Sequence, residues 1–562
     1  MASLVGKRRG GRTYYYLVES ARVAGKPRIV AQHYLGSAEE IAARLSQAGP
    51  GEPTRTRHRA FGDLAAAWAV LQQLQIAVII DQLVGPRRAD AAASVGTYLA
   101  LATCNRVVAP RSKLAFAAWW RTTAGDRLVK LPAAALDHRR FWDAMDAVTV
   151  ADLRAIERAV AVRMVEVFDL DLAGLVLDMT NFATFVDSAN TRNTIAARGH
   201  AKQKRLDLRL VGLGLVVTSD GGVPILSHAY QGNRPDVTQF SAVIDELVAR
   251  FGALARATDA LTVVYDAGCD STDGQADIEA SPLHFVGSLR PSDHPDLLAI
   301  PARRFGVVDA ERFPGLTALE ARTMALGAQR RVILTHSETF HAAQARGFEQ
   351  TLAKARRRLT TLQARLARGK TRRPRPKVEA EIRQILSPRW LDRVIVWELH
   401  GQQPARLRLS WRTDQAARRR LAREVFGKRV LFTDREAWPV DQVVAAYRSQ
   451  ADVEAGFRQL KDPKVVSFSP MFHWTDQKIR VHVFYCVLAL AVAHLLRRQA
   501  TQAGLAMSVR ELLAALAGIQ ETVLLYQGAR GRPRARHVLT EMDPVQQRLF
   551  DLFGLDAHAP KR

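Results

Sequence analysis

Residues 172–289 alternate short apolar runs with turn and helix signals in an order that leaves few folds open. LAGLVLDMT (172–180) is an apolar strand ending in Asp178. LRLVGLGLVVTSDGGVPILSHAY (208–230) reads as two apolar strands around a Ser-Asp-Gly-Gly turn, the signature of a hairpin. PDVTQFSAVIDELVARFG (235–252) has the period of an amphipathic helix opened by a proline. LTVVYDAG is a further apolar strand, ending in Asp266, and STDGQADIEAS predicts a short helix before the strand LHFVGSL. Strand, hairpin, helix, strand, helix, strand describes an α/β sheet with mixed pairing.

The flanks have a different texture. TYYYLVESARVAGKPRIVAQHYL (13–35) predicts two strands joined at Gly25-Lys26-Pro27, a small basic hairpin. From about 60 to 165 apolar residues recur at spacings of three and four, as in a helical region punctuated by Pro110 and Pro132. Residues from about 300 to 425 are expected to interrupt the sheet. Within them 340–386 is charged and helical in period, broken by the turn KTRRPRPK, and DRVIVWELH and ARLRLSWR look like paired strands. The sheet pattern returns at KRVLFTD (428–434), followed by a helix through YRSQADVEAGFRQLK (447–461). The run VFYCVLALAVA (483–493), flanked by His482 and His494, is too short to span a bilayer and reads as a buried helix. The expected organisation is an N-terminal region (1–168), an α/β core in two parts (169–300 and 426–500), an insertion subdomain (301–425), and a helical C-terminal region with a polar tail (501–562).

At 562 residues the chain is long enough for several structural units. Lys and Arg number 81 against 55 Asp and Glu, a net charge of +26, which points to a polyanionic partner, nucleic acid first. The three cysteines, Cys104, Cys269 and Cys486, are far apart and show no metal-ribbon spacing. That fits a reducing compartment, and the first twenty residues lack the apolar core of a signal peptide.

Chemistry is carried by carboxylates. Asp178 and Asp266 each close an apolar strand, and the open edge beyond strand ends is where α/β sheets place reactive groups. Two carboxylates there suit Mg²⁺ or Mn²⁺, and a two-ion site is one solution to phosphodiester chemistry. An aspartate after a strand also serves as a turn cap. Tyr447, Glu454 and Lys461 are spaced seven and seven, which on an α-helix puts them on one stripe with Gln450 and Arg458 close by. The same pattern describes a solvated face with an ordinary Glu454–Arg458 pair.

LVLDMTNF, VVYDAGCDS with HFVGSLRPSDHPDLL behind it, YRSQADVEAGFRQLK and PMFHWTDQKIRVHVFYCVLALAV occur in this order, and together they resemble the insertion-sequence DDE transposases of the YREK type, from about residue 13 to 530. The resemblance implies a ribonuclease-H-like mixed sheet interrupted by an insertion subdomain, with a mostly helical N-terminal region. It implies Asp178, Asp266 and Glu454 as the catalytic and metal-binding triad, with Mg²⁺ as cofactor and Mn²⁺ as substitute. Tyr447 and Lys461 fit the family's Tyr and Lys positions; the Arg expected three residues after the Tyr is Gln450 here. Tyr447, Arg458, Lys461 and Trp397 are the expected DNA contacts, Trp397 as a stacking face on the insertion's strand pair. The implied activity is cleavage at the inverted-repeat ends of a DNA element and joining of the freed 3′-hydroxyls to target DNA, by a homodimer on paired ends in the bacterial cytoplasm. The rival readings are a catalytically silent DNA-binding derivative and a nuclease without strand transfer.

Overall fold

The computed structural model describes residues 2–23, 25–47, 52–85, 92–187, 189–199, 207–370, 372–526 and 534–561. The chain divides into two compact units.

The first unit gathers Met1–Ala65, Trp119–Lys130 and Ala514–Arg562. Its N-terminal sheet holds Arg12–Val23 and Lys26–Ser37, the expected hairpin, with Ala2–Arg9 as a third antiparallel strand. Gly25 turns the hairpin at φ 81°, a conformation that costs glycine nothing. The C-terminal region, whose sequence reads as a helix, a possible short strand region and a polar tail, does contain strands. Gln520–Tyr526 is the middle strand of a second three-stranded sheet, between Arg55–Ala60 from the N-terminal part of the chain and Arg534–Leu539. Glu521 is fully buried there and accepts from Arg127 at 2.6 Å and from His537. Burial raises its pKa, but these partners outweigh that and hold the carboxyl below its ordinary value.

The second unit comprises Ala66–Ala118 and Leu131–Leu513. It opens with helices, among them the buried α1 (Val95–Val108). Then come β1 (Gly174–Thr184), β2 (Arg209–Thr218), β3 (Pro224–Gln231), α2 (Phe240–Thr258), β4 (Thr262–Tyr265), α3 (Thr272–Glu279) and β5 (His284–Leu289). β3 pairs with β2, β2 with β1, β1 with β4 and β4 with β5. The first two pairings are antiparallel and the last two parallel. β2 is buried along nearly its whole length, as a strand covered on both faces must be.

The sheet extends further than the sequence pattern indicates. β6 (Leu316–Ala325) and β7 (Ala328–Ser337) fall inside the stretch expected to interrupt it, yet β7 pairs with β10 (Lys428–Thr433), which pairs with β5. Between β7 and β10, residues 338–427 leave the sheet. That segment holds α4 (Glu338–Ala367), α5 (Arg375–Leu386), the antiparallel pair β8 (Ile395–His400) and β9 (Arg408–Thr413), and α6 (Gln415–Glu424). It has its own core, in which Leu352, Leu359 and Leu366 of α4 meet Val378 and Ile382 of α5 and Leu399 and Leu409 of the strand pair. Its two ends are tied together, with the Ser337 N–H donating to the Gly427 carbonyl at 2.9 Å and the Gly427 N–H to Gln344 Oε1 at 2.7 Å. A side chain at Gly427 would meet the Ser337 carbonyl at 2.8 Å, and φ there is +78°, so this junction requires glycine.

Two helices follow β10. α7 (Val440–Arg448) and α8 (Gln450–Lys461) are separated at Ser449. The last core helix, α9 (Asp476–Gln502), extends well beyond the apolar run that announces it. It is long and apolar enough to cross a membrane, but 94% of its apolar window is buried inside the protein, as in a core helix. His482 and His494 on it are buried and hydrogen-bonded to the Phe468 and Gly222 carbonyls.

Candidate active site

β1 and β4 run parallel with Val176 opposite Val264. The pairing ends there; Asp178 lies two residues further along β1, and Asp266 two residues further on, just past the end of β4. Asp178 is half-buried, and its Oδ1 accepts from the Met179 N–H at 2.7 Å. Asp266 is exposed and caps the turn Ala267–Cys269, its Oδ1 accepting from the Gly268 N–H at 3.0 Å. Both carboxylates are therefore oriented by backbone amides.

They stand in a strongly negative corner. Burial pushes the Cys269 thiol up, and the charges of Asp178, Asp236, Asp266 and Asp270 push it further. Asp270 is itself raised to about 7, first by burial and then, against the pull of Arg290, by Asp266 and Asp293. Its Oδ1 is buried without a hydrogen-bond donor among the described residues. The sequence gives Asp270 as a loop residue before a helix. That holds for the backbone, since Ser271 caps α3, but four-residue spacing from Asp266 carries no sign of the shared electrostatics.

Glu454 comes from α8, which packs on β1. Period two puts Asp178, Thr180 and Phe182 on one face of β1. Lys461 donates to Thr180 Oγ1 at 2.7 Å and lies 5.3 Å from the Phe182 ring centre. One turn before Glu454, the Gln450 amide reaches the Leu177 carbonyl at 3.4 Å. These two contacts bracket Glu454 over the part of β1 that carries Asp178. Glu454 and Arg458 are exposed, and no ion pair joins them among the described residues. Also among the described residues, no three His, Cys, Asp or Glu side chains are gathered closely enough to hold one ion, so the expected convergence of all three carboxylates is not present in this geometry. The carboxylates offer oxygen, the donor a hard divalent cation takes, and the buried Asp270 Oδ1 lacks a hydrogen-bond donor among the described residues.

Tyr447 is placed differently from the expectation. It ends α7, on the far side of the Ser449 break from Glu454, and is 8% exposed. Its hydroxyl donates to Ser288 Oγ at 3.1 Å and accepts from Arg429 at 3.1 Å. Ser288 Oγ also accepts from the Ala267 N–H at 3.2 Å. Tyr447 thus braces the turn after Asp266 and is buried, where an exposed DNA contact was expected. Arg448 lies over the Phe313 ring at 4.6 Å and so does not take the place of the arginine expected at Gln450. Trp397 faces Trp411 across the β8–β9 pair, and both rings are half-buried against the insertion core.

The fold is a mixed α/β sheet with helices on its faces and a separately cored excursion between β7 and β10. No protein-family model matches the sequence, and no curated protein does. Among solved structures, a cryo-EM structure of the piggyBac transposase synaptic complex with hairpin DNA aligns over 83% of this chain and 82% of that one, at 10% identity and a TM-score of 0.37. A likeness that low carries no argument about either fold or function.

Proposed function

We propose that this chain is a DNA transposase with a ribonuclease-H-like core, using Asp178, Asp266 and Glu454 for divalent-cation-dependent phosphodiester chemistry. The observation that carries the reading is the parallel register of β1 and β4, which ends at Val176 opposite Val264 two residues before Asp178 and Asp266, with the Glu454 helix packed on β1. The sheet order supports it: an antiparallel run of three strands joined through its first member to two parallel ones.

Asp178 and Asp266 would hold Mg²⁺, with Glu454 closing the set from α8. When bound, such ions supply activation of the attacking oxygen and charge neutralisation at the leaving oxygen. The protein's own groups orient the rest. Backbone amides fix Asp178 and Asp266, Tyr447 and Ser288 hold the turn behind Asp266, and Lys461 anchors α8 to β1. Arg458, exposed one turn beyond Glu454, is set to hold a backbone phosphate. Hydrolysis at an element end frees a 3′-hydroxyl, which then attacks a target phosphodiester in line and displaces its 3′ oxygen.

The insertion supports DNA as the substrate. Arg346, Lys354, Arg357 and Arg368 form the outward stripe of α4, all exposed. They span about 33 Å of helix, close to one turn of duplex. A homodimer on paired inverted-repeat ends, in the bacterial cytoplasm, completes the reading. Cleavage of the flanking inverted-repeat DNA with Mg²⁺ tests it. Glu454→Gln and Asp178→Asn are each expected to lose at least about 100-fold in cleavage, more than a supporting residue costs, with DNA affinity kept within about threefold. Cleavage at the wild-type rate by either variant would sink the triad; cleavage without joining would point to a nuclease.

A further inference from the structure

Among the described residues β3 pairs only with β2, so it is an edge of the sheet. Two helices reach its open side, Val150–Phe168 and α2. Near the start of β3 they are tied together. Arg250 of α2, its side chain 2% exposed, donates to Glu246 at 2.9 Å, to the Ile225 carbonyl at 3.0 Å and to Glu157 of the other helix at 3.5 Å. Glu157 also accepts from the Ser227 hydroxyl at 2.8 Å. From Ser227 to Gln231 a cavity of about 800 Å³ opens, walled by β3, both helices and α9. Sites for small organic ligands have volumes of roughly 300–1,000 Å³.

The charges in its wall do not cancel. Arg250, Glu157 and Glu246 satisfy one another, which leaves Arg154, Arg234 and Arg480 against Asp245. The Arg154 side chain has no hydrogen bond or ion pair among the described residues. Arg480, from α9, gives one bond, to the Ala229 carbonyl at 2.8 Å, and Arg234 gives one, to Gln231 at 3.3 Å. Burial lowers the Arg480 pKa, and the Arg154 charge lowers it further against the pull of Asp476 and Glu157. His228 feels the same two cations. Burial lowers its pKa first, and Arg480 and Arg154 lower it further against its bond to Gln239. That bond, 3.2 Å long, uses Nε2, and Nδ1 has no partner among the described residues. Like charges held together at a partly buried place repel, and an anion between them relieves the repulsion.

The rest of the wall includes the apolar side chains of Val150, Leu153 and Val483. The space is therefore larger than a bare oxyanion needs and suits one that carries an organic body. The cavity is separate from the carboxylate site. Ser227 in its wall stands opposite Leu215 of β2, which stands opposite Asp178 of β1, so two strand spacings, about 10 Å, lie between them.

We propose that this cavity binds the phosphate monoester group of an organic ligand, the dianion between Arg154 and Arg480 and the organic body against Val150, Leu153 and Val483. A guanidinium fork matches two oxygens of a phosphate. Three arginines against one aspartate leave two positive charges, which a monoester dianion balances and a sulfate ester or a carboxylate does not. A free small ester and the 5′-phosphate of a DNA strand carry the same group. The proposal does not rest on the transposase reading, because none of these residues belongs to the carboxylate site.

The test is calorimetric titration of the full chain at about pH 8, where a phosphate monoester is a dianion. Phenyl phosphate is expected to bind at one site per chain, about tenfold more tightly than phenyl sulfate or inorganic phosphate. Arg154→Met should weaken it about tenfold, and Asp245→Asn should tighten it about threefold. Both residues are exposed, so neither change burdens the fold. Arg346→Met, on α4, should alter nothing. No binding of phenyl phosphate, equal affinity for phenyl sulfate, or affinity indifferent to Arg154→Met overturns this inference and leaves the transposase reading untouched, since that reading is tested by cleavage. A 5′-phosphorylated oligonucleotide that displaces phenyl phosphate better than its 5′-hydroxyl twin, with the same dependence on Arg154, assigns the group to a DNA end. Equal displacement by the two oligonucleotides assigns it to a free ester.

Discussion

The sheet and the excursion between β7 and β10 solve different physical problems with one chain. The sheet's central strands are mostly apolar, and beside them stand a few carboxylates, among which Asp266 and Asp293 add to the burial that raises Asp270. The excursion, residues 338–426, carries 22 of the chain's 81 Lys and Arg but only 8 of its 55 Asp and Glu, more than half of the net charge. Its apolar side chains form a thin core, and its basic ones point outward. Under the proposed function, one region would hold cations and the other an anion. A protein that must grip a polyanion and also place negative charge beside a reacting phosphate benefits from separating the two, because cations near the carboxylates would neutralise them.

That division can be broken from either side. The largest expected effect is on binding: replacing Arg346, Lys354, Arg357 and Arg368 by Glu should flatten the plot of log affinity against log salt by up to about 3.6 if each meets a phosphate. Cleavage at saturating DNA should stay within about threefold, and a variant equally impaired at saturation would show that the excursion takes part in the chemistry. Leu359→Ala, at the centre of the excursion's core and fully buried, should cost about 2–5 kcal/mol in denaturant unfolding. Hydrogen exchange should then show the loss confined to 338–426 and not spread to β1.

Acid should separate the regions in the opposite direction. Burial holds His473 near 3 and His494 near 4, both outside the excursion, whereas an unfolded histidine titrates near about 6.5. The unfolded chain takes up protons that the folded one refuses, so stability is full above about 6.5 and falls as pH drops toward about 4, by up to about 1.4 kcal/mol per pH unit for each histidine. Thermal melts across that range should show the sheet side losing stability first, and His494→Gln should make the slope shallower. The smallest effect expected is from Tyr447→Phe, which removes the brace on the turn after Asp266 and should lower stability by about 1 kcal/mol. It should slow cleavage without changing the salt dependence of binding; a changed salt dependence would return Tyr447 to the DNA surface.

The strands that carry Asp178 and Asp266 were legible because a buried strand must be written as an apolar run and a hairpin must have turn residues. α8 was legible through its period. The extra strands β6 and β7 were not, since ALEARTMA alternates like a half-exposed strand and does not say which sheet it joins. Neither did the spacing of Tyr447, Glu454 and Lys461 reveal the break at Ser449. Period alone put the three on one stripe, and packing against Ser288 and Arg429 took the tyrosine inside.

By itself the sequence determined the element types and the basic balance, because those follow from local pattern and composition; Asp178, read as the end of a strand, lies inside Gly174–Thr184. Only the tertiary structure decided that β1 and β4 pair in parallel just short of Asp178 and Asp266, that Asp270 joins the field of Asp266, and that Glu454 lies over β1 without closing on them. Such convergence depends on register and on helix placement, which are set by the packing of many side chains at once and are written at no single position.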